Sequence, residues 1–216
     1  MSKIFTIGHS TNTVEKFTEY LMIHQVNTIV DVRSVPYSRF ANQFNKEQLA
    51  GYLKKVNILY IPMGNSLGAK YEDKKFLFED GKVNFTKVVA SDQFQKGIYR
   101  LQTGIEKGYK IALMCSEKNP IECHRFSLVS NYLYKEGYDI NHIIGKKFFN
   151  HKLLQDKLLD YFKEYQKIST DINRIINFRF KQLSLFDTEN VNLNTLYLQL
   201  NKLVGYNSIK TKKEMI

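Results

Sequence analysis

The chain has 216 residues, enough to bury a sizeable core, and this length indicates one domain or one domain with an appendage. The formal net charge of +11 favours a polyanionic partner, nucleic acid first, although a generally lysine-rich composition would give the same charge. No apolar run approaches the roughly 20 residues that a membrane helix needs, and the first ten residues lack the pattern of a secretory signal. These features exclude a membrane partner and predict a cytoplasmic protein.

Apolar runs and helical spacings alternate along the first two thirds of the chain. Predicted strands cover residues 4–7, 28–32, 58–61, 109–114 and 139–144. Predicted helices cover residues 13–24, 46–55, 84–106 with an interruption near Gly97, and 120–136. This alternation predicts an α/β fold, in which a mostly parallel, Rossmann-like sheet of about five strands is flanked by helices.

The pattern loosens beyond residue 168. We therefore divide the chain into an α/β domain, residues 1–168, and a C-terminal helical and irregular extension, residues 169–216. Residues 192–204 of the extension have the spacing of an amphipathic helix. This helix is expected to pack on the domain or on a second copy of the chain in a homodimer.

Polar side chains concentrate in the loops that follow the predicted strands. The loops after the first four strands supply, in turn, His9 with Ser10, Asp31 with Arg33 and Ser34, residues 64–70, and residues 115–125. In a parallel sheet the loops at the carboxyl ends of the strands meet at one edge, so these residues converge although they are far apart in sequence. We expect the functional site at this edge.

Basic and hydroxyl side chains at this edge predict an anion site, with phosphate as the expected ligand. The residues expected to line it are Ser10, Arg33, Ser34, Arg39, Lys70, Cys115, Ser116 and Arg125. The N–H groups at the start of the helix predicted at residue 120 would add donors. Alternatively, Arg33 pairs with Asp31 or Glu117 as a structural clasp, and the serines only cap helices.

The two cysteines of the chain have different expected roles. Cys123 lies in the first turn of a predicted helix beside His124 and Arg125, where the helix dipole and the cationic neighbours favour a thiolate. Cys115 ends a buried strand, and a buried free cysteine is usually an inert apolar residue. Cys123 is therefore the predicted nucleophile or redox group.

Imidazole and carboxylate groups at the same edge can supply acid–base chemistry. His9 and His124 are the candidate general acid or base, and Glu117 and Asp31 are the candidate carboxylates that orient them. Each histidine is also open to a purely structural role as a hydrogen-bond partner.

A zinc site is a further option that the sequence disfavours. Its candidate ligands are Cys115, Cys123, His124 and His9, but their spacing matches no standard closed zinc site. The sequence therefore requires no cofactor and predicts no metal.

Four motifs of the chain closely resemble those of the family called domain of unknown function 488 (DUF488). The motifs are Ile7-Gly8-His9-Ser10, Asp31-Val32-Arg33-Ser34-Val35-Pro36, Gln43-Phe44-Asn45, and the run from Met114-Cys115-Ser116-Glu117 to Cys123-His124-Arg125. The resemblance extends over residues 3–145 and implies an α/β fold with a site at these motifs. The family name specifies no reaction, so the resemblance indicates positions for a site and no mechanism.

A short peptide in the extension suggests a protein partner. Residues Gln182, Leu183, Leu185 and Phe186 resemble the motif by which bacterial replication and repair enzymes dock on the DNA sliding clamp. In that mode the glutamine amide makes polar contacts and the apolar side chains fill a pocket. Alternatively, these apolar residues fold back on the core.

The residues therefore favour an enzyme that processes nucleic acid or nucleotides, in DNA repair or metabolism, as a hydrolase or a transferase. One alternative is a non-catalytic module that binds nucleic acid or acts as a clamp adaptor. A second alternative is a thiol-redox or sulfur-transfer protein, because two cysteines beside an anion site would also suit that chemistry.

Overall fold

The structure, a computed structural model, describes residues 2–179 and 192–208. The candidate clamp-binding peptide, residues 182–186, lies outside these described residues. No described helix is both long enough and apolar enough to cross a membrane.

Six strands form one mixed sheet in the described chain. The strands are β1 (Lys3–Gly8), β2 (Thr28–Asp31), β3 (Leu59–Pro62), β4 (Ile111–Cys115), β5 (Asp139–Ile144) and β6 (Lys147–Asn150), and their spatial order is β3-β2-β4-β1-β5-β6. The first five strands are parallel, and β6 is antiparallel to β5 at one end of the sheet. The predicted α/β fold is confirmed, with one strand more than the five expected.

The helices that flank the sheet are α1 (Val14–Ile23), α2 (Lys46–Lys55), α3 (Gly64–Leu67), α4 (Phe85–Val89), α5 (Asp92–Glu106), α6 (Asn131–Lys135), α7 (His151–Tyr165), α8 (Ile172–Asn177) and α9 (Leu193–Val204). Three short 3-10 helices cover Asn42–Phe44, Lys74–Phe76 and Pro120–Glu122, and a π-helical segment covers Arg125–Ser130. One apolar cluster joins the sheet to α4 and α5, and a second joins it to α1 and α2, so each face of the sheet is covered.

Helix α1 begins as the sequence predicts, because the Thr13 side chain accepts a hydrogen bond from the Lys16 N–H (3.3 Å). Helix α2 also has the predicted bounds, but the side chain of Asn45, the residue before it, makes no capping hydrogen bond to the helix. The Asn45 side chain instead accepts a hydrogen bond from the Ser38 N–H (2.7 Å), so it fixes the preceding loop. This loop, residues 34–41, connects β2 to the 3-10 helix before α2.

The predicted interruption near Gly97 is wrong. The chain breaks earlier, at Ala90 and Ser91, where the Ser91 hydroxyl accepts a hydrogen bond from the Phe94 N–H (3.2 Å) and starts α5. Gly97 lies within the helix, where α5 packs closely on α3. A larger residue would not fit, because a Cβ atom there would lie 2.8 Å from the side chain of Ser66. The glycine marks a close helix contact.

The single helix predicted for residues 120–136 is also wrong. A 3-10 turn covers Pro120–Glu122, Cys123 is extended with φ −135° and ψ 143°, and the chain then enters the π-helical segment and α6. Cys123 therefore immediately precedes a helix and does not lie inside its first turn. A π-helical segment is rare and is often found at functional sites.

The described part of the extension packs against the α/β domain. Leu196, Tyr197 and Leu200 of α9 are buried in an apolar cluster with Phe126 and with Leu158 of α7. Its amphipathic pattern is therefore satisfied within the chain.

Candidate functional site

The carboxyl ends of β1, β2 and β4 are adjacent, and their loops are joined by backbone hydrogen bonds. The His9 N–H donates to the Cys115 carbonyl (3.0 Å), and the Ser10 N–H donates to the Ser116 carbonyl (2.8 Å). This close approach requires glycine at position 8, because a Cβ atom there would lie 1.8 Å from the Glu117 carbonyl oxygen. The loops that the sequence predicted to converge are therefore in contact.

A buried ion pair between Arg33 and Asp31 stabilises the loop that follows β2 at this edge. The Arg33 Nη2 lies 2.6 Å from Asp31 Oδ2, the Arg33 Nε donates to Asp31 Oδ1 (2.9 Å), and both side chains are almost fully buried. Asp31 also accepts from the Tyr60 hydroxyl (2.6 Å), and Arg33 donates to the Phe44 carbonyl (2.8 Å). The clasp between Arg33 and Asp31 that the sequence left open is present.

His9 completes this network as a neutral side chain. Arginine can only donate, so the contact of 3.1 Å between Arg33 Nη1 and His9 Nε2 makes this nitrogen an acceptor. The proton then lies on Nδ1, which donates to the Ser10 carbonyl (2.8 Å). Burial and the nearby Arg33 charge together lower the pKa of His9 to about 4, although its hydrogen bond to the Ser10 carbonyl acts in the opposite direction. His9 is therefore tied to the clasp and is uncharged at neutral pH.

The second group at the edge is a sulfur–imidazole cluster formed by Cys115, Cys123 and His124, all three of which are buried. His124 Nδ1 lies 3.8 Å from Cys115 Sγ and 3.7 Å from Cys123 Sγ. His124 Nε2 lies 3.2 Å from the Val32 carbonyl, which can only accept, so Nε2 carries a proton. The cluster therefore turns Nδ1 toward both sulfur atoms.

The two thiols have unequal proton affinities. The hydrogen bond to Cys123 and burial raise the pKa of Cys115 well above its ordinary value. Burial alone would raise the pKa of Cys123, but its hydrogen bond with Cys115 and the charges of Arg125 and His124 lower it well below the ordinary value. The directions of these two shifts favour the proton on Cys115 over Cys123, and the role of Cys123 as a nucleophile or redox group stays a prediction.

The buried side chain of Arg125 binds the backbone of the loop that follows β4. It is fully buried, and its guanidinium donates to the backbone carbonyls of Glu117 (2.7 Å) and Lys118 (3.2 Å). Its backbone N–H donates to Cys123 Sγ (3.4 Å). The Arg125 Nε has no hydrogen-bond partner among residues 2–179 and 192–208. In this structure Arg125 positions the loop, and its predicted contact with an anion stays a prediction.

A cavity of about 210 Å³ opens at the edge above the cluster. Six of its lining residues are Ser34, Lys70, Cys115, Ser116, Glu117 and His124. Glu117 is exposed, and partial burial of its carboxyl together with the nearby Cys123 raises its pKa. The cavity therefore brings together residues from three separate loops.

Three predicted site residues, Ser10, Arg39 and Cys123, are not among the residues that line this cavity. Cys123 is not among the lining residues, whereas Cys115, the cysteine predicted to be inert, is. Ser10 is half-buried with a φ of +50° at the neighbouring loop. Arg39 is exposed on the loop 34–41.

Sequence reasoning missed Tyr60, which binds Asp31, and the exposed aromatic residues Tyr37 and Phe40. Tyr60 is visible in sequence only as an apolar residue of a strand. Phe40 beside Arg39 in a loop with no apolar periodicity is the signal that could have been used.

These features define an α/β protein with a sulfur–imidazole cluster at the carboxyl edge of its sheet. The model of the family described as domain of unknown function DUF488 matches residues 13–133, more than half of the chain, so the chain belongs to this family. The matched range contains the ion pair, the cavity-lining residues except Tyr206, and the cluster. No curated protein and no solved structure matches the chain significantly.

Proposed function

We propose that this chain is an enzyme that processes nucleic acid or nucleotides, as a hydrolase or a transferase, and holds a phosphate group of its substrate in the edge cavity. The observation that carries the proposal is the composition of this cavity. Lys70, Ser34 and Ser116 offer a cation and two hydroxyl groups to a phosphate, directly beside the reactive side chains of Glu117 and His124.

Lys70 is the side chain best placed to bind the phosphate. It is exposed, and its ammonium lies 3.5 Å from the exposed Glu72 carboxylate, a contact of the kind that contributes little stability. Its backbone N–H donates to the Ser34 hydroxyl (2.9 Å), which ties the loop after β3 to the loop after β2. A phosphate can therefore replace Glu72 without a rearrangement of the backbone.

The loop 34–41 supports a nucleobase-bearing ligand over a free anion. Phe40 is 97% exposed and Tyr37 is 55% exposed, and Arg39 lies between them in sequence. The loop is held in place, because Asn45 and the Ser38 hydroxyl bind its backbone. Exposed aromatic rings beside a cation form a platform on which unpaired bases stack, at about 1–3 kcal/mol per base.

The proposal assigns different tasks to the predicted residues. Glu117 reaches the cavity, where it can exchange protons with a bound substrate, and His124 borders the cavity with its Nδ1 directed at the two thiols. Asp31, Arg33 and His9 form the buried support of the loops and act as positioning residues.

The test is binding of a fluorescein-labelled single-stranded oligonucleotide, followed by analysis of its products. Lys70→Ala is expected to weaken binding. It should also make the slope of log affinity against log salt concentration shallower by about one, because one fewer counterion is released on binding. The matched control is Lys107→Ala, which removes the same charge at the end of α5, near the amino ends of the strands. Equal losses of oligonucleotide affinity in both variants would mean that the net charge of the protein attracts the oligonucleotide and that Lys70 has no specific role.

The stacking platform has its own matched pair. Phe40→Ala is expected to weaken binding of the single-stranded oligonucleotide by about 5-fold to 150-fold, because one stacked base loses its partner. Tyr99→Ala is the control, since Tyr99 is 73% exposed on α5. The proposal fails if the wild-type protein neither binds the oligonucleotide nor converts any nucleotide or oligonucleotide offered to it.

Two neighbouring thiols with pKa values shifted in opposite directions also favour a second candidate, thiol–disulfide exchange or sulfur transfer. This candidate needs no nucleic acid. It predicts that the activity follows Cys123 and is unaffected by Lys70→Ala and Phe40→Ala.

We also propose the DNA sliding clamp as a partner through residues 182–186. Deletion of these five residues is expected to abolish clamp binding in a pull-down with purified clamp and to leave oligonucleotide binding intact. Unaltered clamp binding after the deletion would remove this proposal.

A further inference from the structure

We propose that Cys115, Cys123 and His124 form a mononuclear site for a divalent cation of the zinc type, with an open coordination position toward the edge cavity. This inference goes beyond the proposed function, because it depends only on the arrangement of these three side chains. Their sulfur and nitrogen atoms all lie within 4.8 Å of one another.

The distances in the cluster match those between two ligands of one zinc ion. Bond lengths of about 2.3 Å to sulfur and about 2.0–2.1 Å to nitrogen, at tetrahedral angles, place a sulfur ligand about 3.6 Å from a nitrogen ligand. The distances from His124 Nδ1 to the two sulfur atoms are 3.8 Å and 3.7 Å. One nitrogen at this distance from two sulfur atoms is the arrangement that three ligands of a single ion would have.

The surroundings of the cluster prepare these atoms as ligands. His124 Nε2 donates to the Val32 carbonyl (3.2 Å), so in the neutral ring the lone pair of Nδ1 is directed at the sulfur atoms. Metal-bound histidines usually donate their other N–H to a carbonyl or carboxylate in this way. The Arg125 N–H donates to Cys123 Sγ (3.4 Å), a contact that stabilises a thiolate and fixes its orientation.

Charge and burial fit a divalent cation. The three side chains are 2–7% exposed, and a thiolate at Cys115 in addition to one at Cys123 would be costly without a counterion. A divalent cation would neutralise both. Sulfur with imidazole is a ligand set that favours zinc over magnesium or calcium.

The cavity determines the kind of site. Cys115 and His124 line it, whereas Cys123 lies on the buried side. Three protein ligands with one open position are typical of catalytic zinc sites, while structural sites have four protein ligands. The Glu117 carboxyl lies beside both thiols and lines the cavity, where it can accept a proton from a water bound at the open position.

His9, the fourth candidate ligand from the sequence, does not belong to this site. Its Nε2 accepts from Arg33 and its Nδ1 donates to the Ser10 carbonyl, so both ring nitrogens are occupied elsewhere. His9 therefore provides the matched control for a test of the site.

The test is a titration of the fully reduced, full-length protein with Co²⁺, whose optical spectrum reports its ligands. We expect one Co²⁺ per chain, a thiolate-to-cobalt charge-transfer band in the near ultraviolet, and the intense visible bands of tetrahedral cobalt. Added Zn²⁺ is expected to displace the cobalt and remove these bands. A wild-type spectrum without the charge-transfer band would overturn the proposal, whatever the variants do.

Three variants assign the ligands. Cys115→Ser and Cys123→Ser each remove one of the two thiolates, so the charge-transfer intensity per bound Co²⁺ is expected to fall to about half. His9→Gln is expected to leave the spectrum unchanged, and circular dichroism checks that each variant is folded. Loss of the spectrum in His9→Gln, or its retention in both folded cysteine variants, would contradict the assignment.

This outcome is separate from that of the proposed function. A protein that binds Co²⁺ through the two cysteines and no oligonucleotide would keep the metal site and remove the nucleic-acid role. A disulfide between Cys115 and Cys123 that forms readily in air, in a protein whose reduced form binds no Co²⁺, would overturn the metal site and favour thiol chemistry.

Discussion

Two groups of buried histidines in this protein have opposite surroundings. Under α9, the Thr6 hydroxyl lies 2.8 Å from His142 Nδ1, His142 Nε2 lies 2.9 Å from His151 Nδ1, and His151 Nε2 lies 2.9 Å from the Tyr197 hydroxyl. The Tyr197 hydroxyl in turn donates to Gln155 Oε1 (2.9 Å). We call these five residues the histidine chain.

One order of protons satisfies the whole histidine chain. Tyr197 donates to Gln155 and must accept from His151, which must accept from His142, which accepts from the Thr6 hydroxyl. Every ring nitrogen therefore has a partner at ordinary hydrogen-bond distance, and both histidines are neutral. Such a network specifies how α9 packs on α7 and needs no ligand.

In the sulfur–imidazole cluster, by contrast, one ring nitrogen of His124 has no oxygen or nitrogen partner among the described residues. His124 Nδ1 faces two sulfur atoms at 3.7 Å and 3.8 Å, and a cavity opens beside it. Burial of a histidine is common to both regions, so burial alone does not indicate function. What distinguishes the cluster is a set of donor atoms directed at one another beside an open cavity.

The largest expected effect is on the ion pair that supports the edge. Asp31→Asn leaves the Arg33 guanidinium buried without its counterion, which is expected to cost about 3–5 kcal/mol in the free energy of unfolding. Urea denaturation measures this loss.

The control for the buried pair is Glu19→Gln, which breaks an exposed contact of 2.7 Å with Lys146. Its expected cost is below about 1 kcal/mol. Similar losses in Asp31→Asn and Glu19→Gln would mean that the edge does not depend on the buried clasp.

The next largest effect is the response of the histidine chain to acid. Burial lowers the pKa of His151 from 6.5 to about 3, so the unfolded state binds more protons than the folded state between these values. The stability is therefore fully present above pH 6.5 and is lost as the pH falls. Between pH 6.5 and 5 this histidine removes about 2 kcal/mol of unfolding free energy.

His142 adds to the acid response, because burial and His151 lower its pKa as well. Unfolding free energies of the wild type and His151→Gln at several pH values from 7.5 to 4.5 would check this prediction. The variant is expected to have the shallower pH dependence. An equally steep dependence in both proteins would assign the acid sensitivity to other groups, such as His9.

A smaller effect is expected for Tyr197→Phe, which removes one hydroxyl from the histidine chain. His151 Nε2 and Gln155 Oε1 then lose a partner inside the core, at a cost of about 1–3 kcal/mol. Because the edge is separate from this network, oligonucleotide and Co²⁺ binding are expected to remain unchanged. A change in either would show that the two regions are coupled.

The features that could be predicted from the sequence are those that depend on local patterns of residues. The alternation of apolar strands and helices predicted the parallel sheet. The polar loops after β1, β2 and β4 predicted the position of the site, because a parallel sheet brings those loops together at one edge. The short β6 was missed because it is only four residues long and leads directly into α7. Its pairing with β5 depends on tertiary contact.

The details of the site were less predictable for the same reason. No spacing shows that His124 faces two sulfur atoms, since this requires Cys123 to be extended between a 3-10 turn and a π-helical segment. The histidine chain joins Thr6 to His142, 136 positions away in sequence, and Tyr197 to His151, 46 positions away. A single sequence carries no signal for such contacts.

The most direct test of the functional edge is a titration of ¹⁵N-labelled protein with a short single-stranded oligonucleotide, observed by the chemical shifts of the backbone amides. The account predicts shifts at Ser34, Lys70 and Ser116, with His142 and His151 unaffected. Shifts confined to the histidine chain, or no shifts at a concentration where a labelled oligonucleotide binds, would contradict it.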